Sequence, residues 1–333
     1  MNELLNKISR KGAENAESLL ENHSVVFKNS GNNRDYEGLR LRFRTKIPRP
    51  PRLRASAIVL SLIILLFSCT PRMERSGVPN AEPQRIVSLV PAVTEILFAI
   101  GAGEKVVGVT EYCDYPAEAG ERTSVGGFSG ATVSVEQIRL LNPDMVLLSA
   151  DMHERITALL DELRITSFAV EPKNFSQVYD VIALLGEMTG CTAGAGEVIA
   201  GMKSKIAGVE ERIQGREKPG VFWMLSEDPL MSVGAETFVS EAISLGGGRN
   251  IFADVRERWP LVSREQVLLR KPDWILLGDD VGGAAAALAV NPLWQTIPAI
   301  RESRVALIDA DILYRYGPRL ADGVEYIARI LHP

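Results

Sequence analysis

Between residues 176 and 214 lie nearly forty residues with no strand signal, flanked on both sides by alternating short strands and helices. Val178, Ile182, Leu185 and Met188, then Val198, Met202, Ile206, Val209 and Ile213, recur every three or four residues, the spacing of a helix with one buried face. No sheet continues through such a segment, so the chain must fold as two α/β blocks around a helical connector. The spacing predicts one helix or two nearly collinear ones, with Gly190–Gly196 as a weaker stretch between them. Upstream, strands at Arg85–Leu89, Val106–Val109, Met145–Leu148 and Thr166–Val170 alternate with helices at Ala92–Ile100, Val133–Leu141 and Glu154–Leu163. Downstream, strands at Val221–Leu225, Trp274–Leu277 and Val305–Ile308 alternate with helices at Ala235–Leu245, Arg264–Leu269 and Pro318–Leu331. Alternation of this kind builds mostly parallel sheets covered on both faces. The expected class is α/β, two Rossmann-like lobes (85–172 and 218–333) joined by a long rigid helix (173–217).

The charge distribution divides the chain differently. Residues 1–68 are basic and the rest is acidic, for a net charge of -5. The acidic body argues against nucleic acid as a partner. Arg40, Arg42, Arg44, Lys46, Arg49, Arg52 and Arg54 precede the apolar run Ala55–Ser68, the layout of a secretory signal. That run is short of the roughly 20 residues a spanning helix needs. It ends at Leu66-Phe67-Ser68-Cys69, which resembles a lipoprotein cleavage box with Cys69 as the lipidated residue; Phe67 departs from the usual small residue. An uncleaved anchor and a buried helix are the competing readings, and both signal readings put the body outside the cytoplasm. Residues 1–54 read as a disordered or mis-called extension with a basic flank, 55–69 as the signal and lipobox, and 70–84 as a turn-rich tether.

Catalytic patterns are missing: there is no Gly-x-Ser-x-Gly, no phosphate-binding Gly-x-x-x-x-Gly-Lys and no His-Glu-x-x-His. Three Cys and three scattered His suit neither a disulfide scaffold nor a zinc centre. A Cys113–Cys191 disulfide remains an option. No enzyme activity, metal or cofactor is expected. The loops after the strands are more informative. Tyr112 and Tyr115 lie within four residues of each other before Pro116, suited to a flat ring wall or to pinning their own loop. Phe128 stands in the Gly-rich stretch Gly126–Gly130 as a lid or an anchor. Trp259-Pro260 is hard to bury fully. Asp311, Tyr314 and Arg315 follow the last strand, where parallel sheets bind ligands. An internal echo links the lobes: Val135-Glu-Gln-Ile-Arg-Leu-Leu-Asn-Pro-Asp resembles Ser263-Arg-Glu-Gln-Val-Leu-Leu-Arg-Lys-Pro-Asp, each followed by an apolar strand.

Several stretches together carry a family likeness. They are Arg85-Ile-Val-Ser-Leu-Val-Pro-Ala-Val-Thr-Glu-Ile-Leu-Phe-Ala, Gly108-Val-Thr-Glu-Tyr-Cys-Asp-Tyr-Pro, Gly126-Gly-Phe and Leu141-Asn-Pro-Asp in the first lobe. In the second they are Gly246-Gly-Gly-Arg-Asn-Ile-Phe, Trp259-Pro-Leu-Val-Ser-Arg-Glu-Gln-Val and Gly317-Pro-Arg-Leu. Over about 85–333 the chain resembles the periplasmic vitamin B12-binding proteins of ABC importers, within the helical-backbone (class III) group that also carries haem and iron-siderophores. The resemblance implies a ligand held between two lobes that open only slightly, and delivery to a permease dimer with its ATPase subunits by a monomer tethered to the membrane through lipid. It implies one docking glutamate per lobe, matched to Glu154 and Glu236. It keeps Tyr115-Pro116 and Trp259-Pro260, and finds the acid–base pair after the last strand as Asp311 and Arg315 with shifted spacing. The aromatic that relatives carry near Ser149 is absent. For a cobalamin or related corrinoid, Tyr112, Tyr115 and Phe128 are the expected first wall, and Trp259, Tyr314 and Tyr316 the second. Haem, with Tyr as axial ligand and Arg on a propionate, or an iron-siderophore is the alternative ligand.

Overall fold

The computed structural model describes residues 82–281, 283, 288, 292 and 294–333. The basic flank, the apolar run and Cys69 lie outside the described residues.

The first lobe runs β1 (Ile86–Ser88), α1 (Pro91–Ala99), β2 (Val106–Val109), β3 (Thr123–Ser124), α2 (Val135–Leu140), β4 (Met145–Leu148), α3 (Glu154–Glu162) and β5 (Ser167–Ala169). Its sheet is parallel in the order β3-β2-β1-β4-β5. Every residue of β1 and β4 is buried, because helices cover both faces of a parallel sheet. Val87, Val146 and Leu148 face Ile138 of α2 and Ile156 of α3, while Ile86, Met145 and Leu147 face Val93, Ile96 and Leu97 of α1.

The connector is two helices, α4 (Phe175–Thr189) and α5 (Thr192–Ile213). They are not collinear. Gly190 takes a left-handed φ of 71°, which ends α4 and reverses the chain. Lys203 then lies over the ring of Tyr179 at 4.9 Å, and Gly186 lies so near Ala195 that a Cβ there would fall 2.5 Å from the alanine methyl. Contacts symmetric about residues 190–191 define an antiparallel hairpin. Periodicity reports which face of a helix is buried but says nothing of the angle between consecutive helices, so the collinear expectation fails at a single residue. The hairpin tip meets the first lobe, where Lys105 donates to the Thr189 carbonyl at 2.7 Å. The open end meets the second lobe, where Phe175 N–H donates to Glu241 and Phe175 packs on Phe238.

The second lobe comprises β6 (Gly220–Met224), a small antiparallel pair β7 (Ser226–Glu227) and β8 (Leu230–Met231), then α6 (Phe238–Leu245), β9 (Arg249–Asn250), α7 (Arg264–Arg270) and β10 (Trp274–Gly278). It ends with α8 (Pro298–Arg301), β11 (Val305–Ile308), α9 (Ala310–Tyr314) and α10 (Leu320–Leu331). Its parallel sheet has the order β11-β10-β6-β9. One apolar cluster runs from Ile86 and Leu97 through Ile182, Met202 and Val209 of the hairpin to Trp223, Ile243 and Ile327. Both lobes bury apolar residues against the same hairpin.

The internal echo is a true structural repeat. Ser134 and Ser263 cap α2 and α7, and Ile138 and Val267 are fully buried beneath them. Asn142 and Lys271 both take a φ of 46°. Asp144 accepts the N–H groups of Gln84 and Arg85 ahead of β1, and Asp273 accepts that of Gly220 at the start of β6. Each Pro-Asp turn thus ties down the first strand of its lobe. Cys113 and Cys191 are free thiols; Cys113 is buried against the hydroxyls of Thr94 and Thr110.

Candidate functional site

Side chains that follow the carboxyl ends of the strands form the seam between the lobes. Glu95 of α1 sits among Ala92, Val93, Ile96 and Leu97 and is 3% exposed. A carboxylate so placed demands cations, and both come from the other lobe. Arg319 donates to it through Nε at 3.0 Å and Nη2 at 2.6 Å, and Arg315 through Nη1 at 3.2 Å. Arg315 also bonds Asp114 at 2.8 Å and Asp311 at 2.6 Å, and Arg319 stacks on the ring of Tyr115 at 4.0 Å. Burial pushes the Asp311 carboxyl up, against the pull of Arg315. Burial depresses the Arg315 pKa, but the carboxylates of Asp114, Asp311 and Glu95 outweigh it and the net shift is upward. A further tie crosses the seam where the Tyr316 hydroxyl donates to the Val170 carbonyl.

The expected pair Asp311 and Arg315 is therefore assembled, but Arg315 is engaged by three carboxylates on two lobes rather than turned toward a ligand. Glu95 and Arg319 escaped the sequence reading. The available signal was a glutamate on the apolar stripe of α1, which cannot be buried alone.

On the first lobe the edge of Phe128 meets Tyr112, with ring centroids 6.1 Å apart, and His153 at 6.3 Å. His153 is buried. Ser149 N–H donates to its Nδ1, so Nε2 carries the proton and donates to the Phe128 carbonyl at 2.9 Å. Burial lowers its pKa, with those two backbone bonds and the charge of Glu171 opposing. Tyr112 and Phe128 are half-buried, with His153 against Phe128, while Tyr115 is exposed with Arg319 over its ring.

The second wall departs from expectation. Tyr314 turns inward, edge-on to Trp223 at 6.2 Å, with its hydroxyl enclosed. Its amphipathic ring packs into the lobe because α9 is only five residues long and its apolar side faces α6 and α10. Tyr316 is occupied by Val170 and Phe238. Trp259 is half-buried against the core, with Arg258 over its ring at 5.9 Å. Among the described residues, no hydrogen-bond partner reaches the buried indole N–H of Trp223, Tyr314 hydroxyl or Asp280 Oδ1. Burial, then the charge of Asp279, raises the pKa of Asp280 to about 6. Among the described residues no group of His, Cys, Asp and Glu is arranged to hold a metal ion.

Glu154 is the exposed first residue of α3, and Glu236 is exposed just ahead of Thr237, the cap of α6. Glu136 and Glu265, the second residues of α2 and α7 in the repeated unit, are exposed as well.

Residues 86–312 match the family described as periplasmic binding protein. The chain belongs to the periplasmic binding protein family. Periplasmic binding proteins capture a solute and do not transform it, and the chain works outside the cytoplasm. The chain is 34% identical over 260 residues to the ABC transporter substrate-binding lipoprotein YvrC of Bacillus subtilis, covering 76% of this chain and 81% of that protein. It is 30% identical over 280 residues to the vitamin B12-binding protein of Vibrio cholerae, covering 81% of this chain and 98% of that protein. The crystal structure of the periplasmic vitamin B12-binding protein BtuF of Vibrio cholerae superposes with a TM-score of 0.66 at 31% identity, covering 75% of this chain and 96% of that one. Two α/β lobes on long helices are thus shared across the family.

Proposed function

We propose that this periplasmic binding protein captures cobalamin or a related corrinoid at the seam between its lobes and delivers it to the permease of an ABC importer. The observation that carries this reading is the similarity to a vitamin B12-binding protein across 98% of that protein's length. The electrostatics of the seam support it. Arg315 and Arg319 are already neutralised by Glu95, Asp114 and Asp311. A corrin presents apolar faces and a rim of neutral amides, which suits the half-buried rings of Tyr112 and Phe128 and the exposed ring of Tyr115. Haem would require free bases for two propionates, and the two seam arginines are engaged. Titration of the purified protein with cyanocobalamin, cobinamide and haemin, followed by calorimetry, tests the assignment. One-to-one corrinoid binding is expected; tight haemin binding with no corrinoid binding at about 100 μM would overturn it.

Docking deepens the same reading. A permease dimer presents one related surface to each lobe. Glu154 and Glu236 offer one exposed carboxylate per lobe, so we place the docking charges there. Attachment to the membrane is assigned to lipid on Cys69.

A further inference from the structure

The guanidinium of Arg319 is used twice. Its edge donates to Glu95 through Nε at 3.0 Å and Nη2 at 2.6 Å, which fixes the plane of the group. Its face lies over the ring of Tyr115, 4.0 Å from the centroid. Glu95 and Tyr115 belong to the first lobe, and Arg319, immediately ahead of α10, to the second. Glu95 is packed into the apolar face of α1 at 3% exposure, whereas Tyr115 is 46% exposed. The neighbouring Asp114, on the same loop, is held separately by Arg315 at 2.8 Å. The loop therefore has a tie across the seam without Arg319, and what Arg319 adds is the placement of the ring. An exposed tyrosine on a loop otherwise samples several rotamers. Immobilising one such side chain on binding weakens affinity by about two- to tenfold. A guanidinium whose own plane is already fixed removes that loss in advance.

Resting on the corrinoid reading above, we infer that Arg319 is a positioning residue for the ligand site: anchored edge-on by Glu95, it holds the ring of Tyr115 in the orientation on which a flat, neutral macrocycle stacks. Because anchor and ring lie on one lobe and the guanidinium on the other, the ring is held only while the lobes stay in register at the seam.

The test is a double-mutant cycle on the whole protein, read as the cyanocobalamin Kd by calorimetry, with wild type, Arg319→Lys, Tyr115→Ala and the double variant. Lysine keeps the charge beside Glu95 but has no plane to fix or to stack. Arg319→Lys should bind about fivefold more weakly and Tyr115→Ala about thirtyfold. In the Tyr115→Ala background the Arg319 change should add less than about twofold, since the ring it positions is gone. A second readout needs no ligand: in protein labelled with carbon-13 on the tyrosine rings, the Tyr115 signal, assigned by its loss in Tyr115→Phe, should move in Arg319→Lys. Wild-type affinity in Arg319→Lys, or an equal fall in both Tyr115 backgrounds, would overturn the inference and leave the corrinoid reading intact. An unmoved Tyr115 signal would overturn it as well. If wild type binds no corrinoid while the signal still moves, the corrinoid reading falls and the positioning of the ring stands. Should Arg319→Lys fail to fold by circular dichroism, Glu95→Gln, which leaves the arginine but removes the charge that anchors it, takes its place in the cycle.

Discussion

Replacing Glu95 by Ala should unfasten the two lobes at their seam. The carboxylate is 3% exposed and accepts three hydrogen bonds from two arginines of the opposite lobe. Removal strips Arg319 of both short bonds, leaving Asp309 at 4.0 Å and the ring of Tyr115. Arg315 loses one of three partners and keeps Asp114 and Asp311. Breaking a buried pair by deleting one partner costs about 3–5 kcal/mol. The lower end applies, because both arginines retain some compensation, so a loss of about 3 kcal/mol is expected. For a body of this size that is a fall in melting temperature of roughly 6–12 °C. Circular dichroism melts and urea titrations of wild type, Glu95→Ala, Arg319→Ala and the double variant measure it. Because the double variant removes the orphaned charge, it should be more stable than the sum of the singles predicts, by about 2 kcal/mol. Additive losses, or a Glu95→Ala loss below about 1 kcal/mol, would show that the fork is a surface-like pair and refute the reasoning.

Two buried groups predict pH effects of opposite sign. His153 is held neutral, its pKa lowered by burial, so its contribution is complete above the ordinary histidine range, about 6.5, and is lost as pH falls through the lower folded value. The urea midpoint of His153→Gln should therefore depend less on pH between 5 and 8 than that of wild type. Asp280, raised to about 6, stabilises while protonated, and that contribution fades as pH rises from the ordinary aspartate value through about 6; Asp280→Asn should be the more stable protein at pH 8, by about 2 kcal/mol, and equal at pH 4. In vesicle uptake, Glu154→Ala/Glu236→Ala should impair transport while sparing ligand binding, and normal uptake by that double variant would refute the docking assignment. Mass spectrometry of the native amino terminus should find diacylglycerol on Cys69; an intact peptide spanning Phe67–Thr70 would exclude it.

Much of the architecture was readable because its signals are local. The spacing of Val178, Ile182, Leu185 and Met188 specifies a buried helical stripe, and the continuous apolar run Met145–Leu148 specifies a strand covered on both faces. The site was readable in part. Tyr112, Tyr115 and Phe128 lie on loops after strands, where ring exposure follows from position. Tyr314 looked identical in sequence, yet its ring turned to Trp223, a choice made by the packing of α9 and not by its neighbours in the chain.

The amino-acid order alone determined two parallel-sheet lobes, a helical connector and a repeated helix–turn–strand unit, since hydrophobic period and turn chemistry act over three to ten residues. Tertiary structure decided what joins distant segments. The left-handed turn at Gly190 folded the connector into a hairpin that both lobes share. Glu95 and Arg319, 224 residues apart, met because a buried carboxylate is stable only where opposite charge reaches it, and no local pattern reveals which arginine that will be.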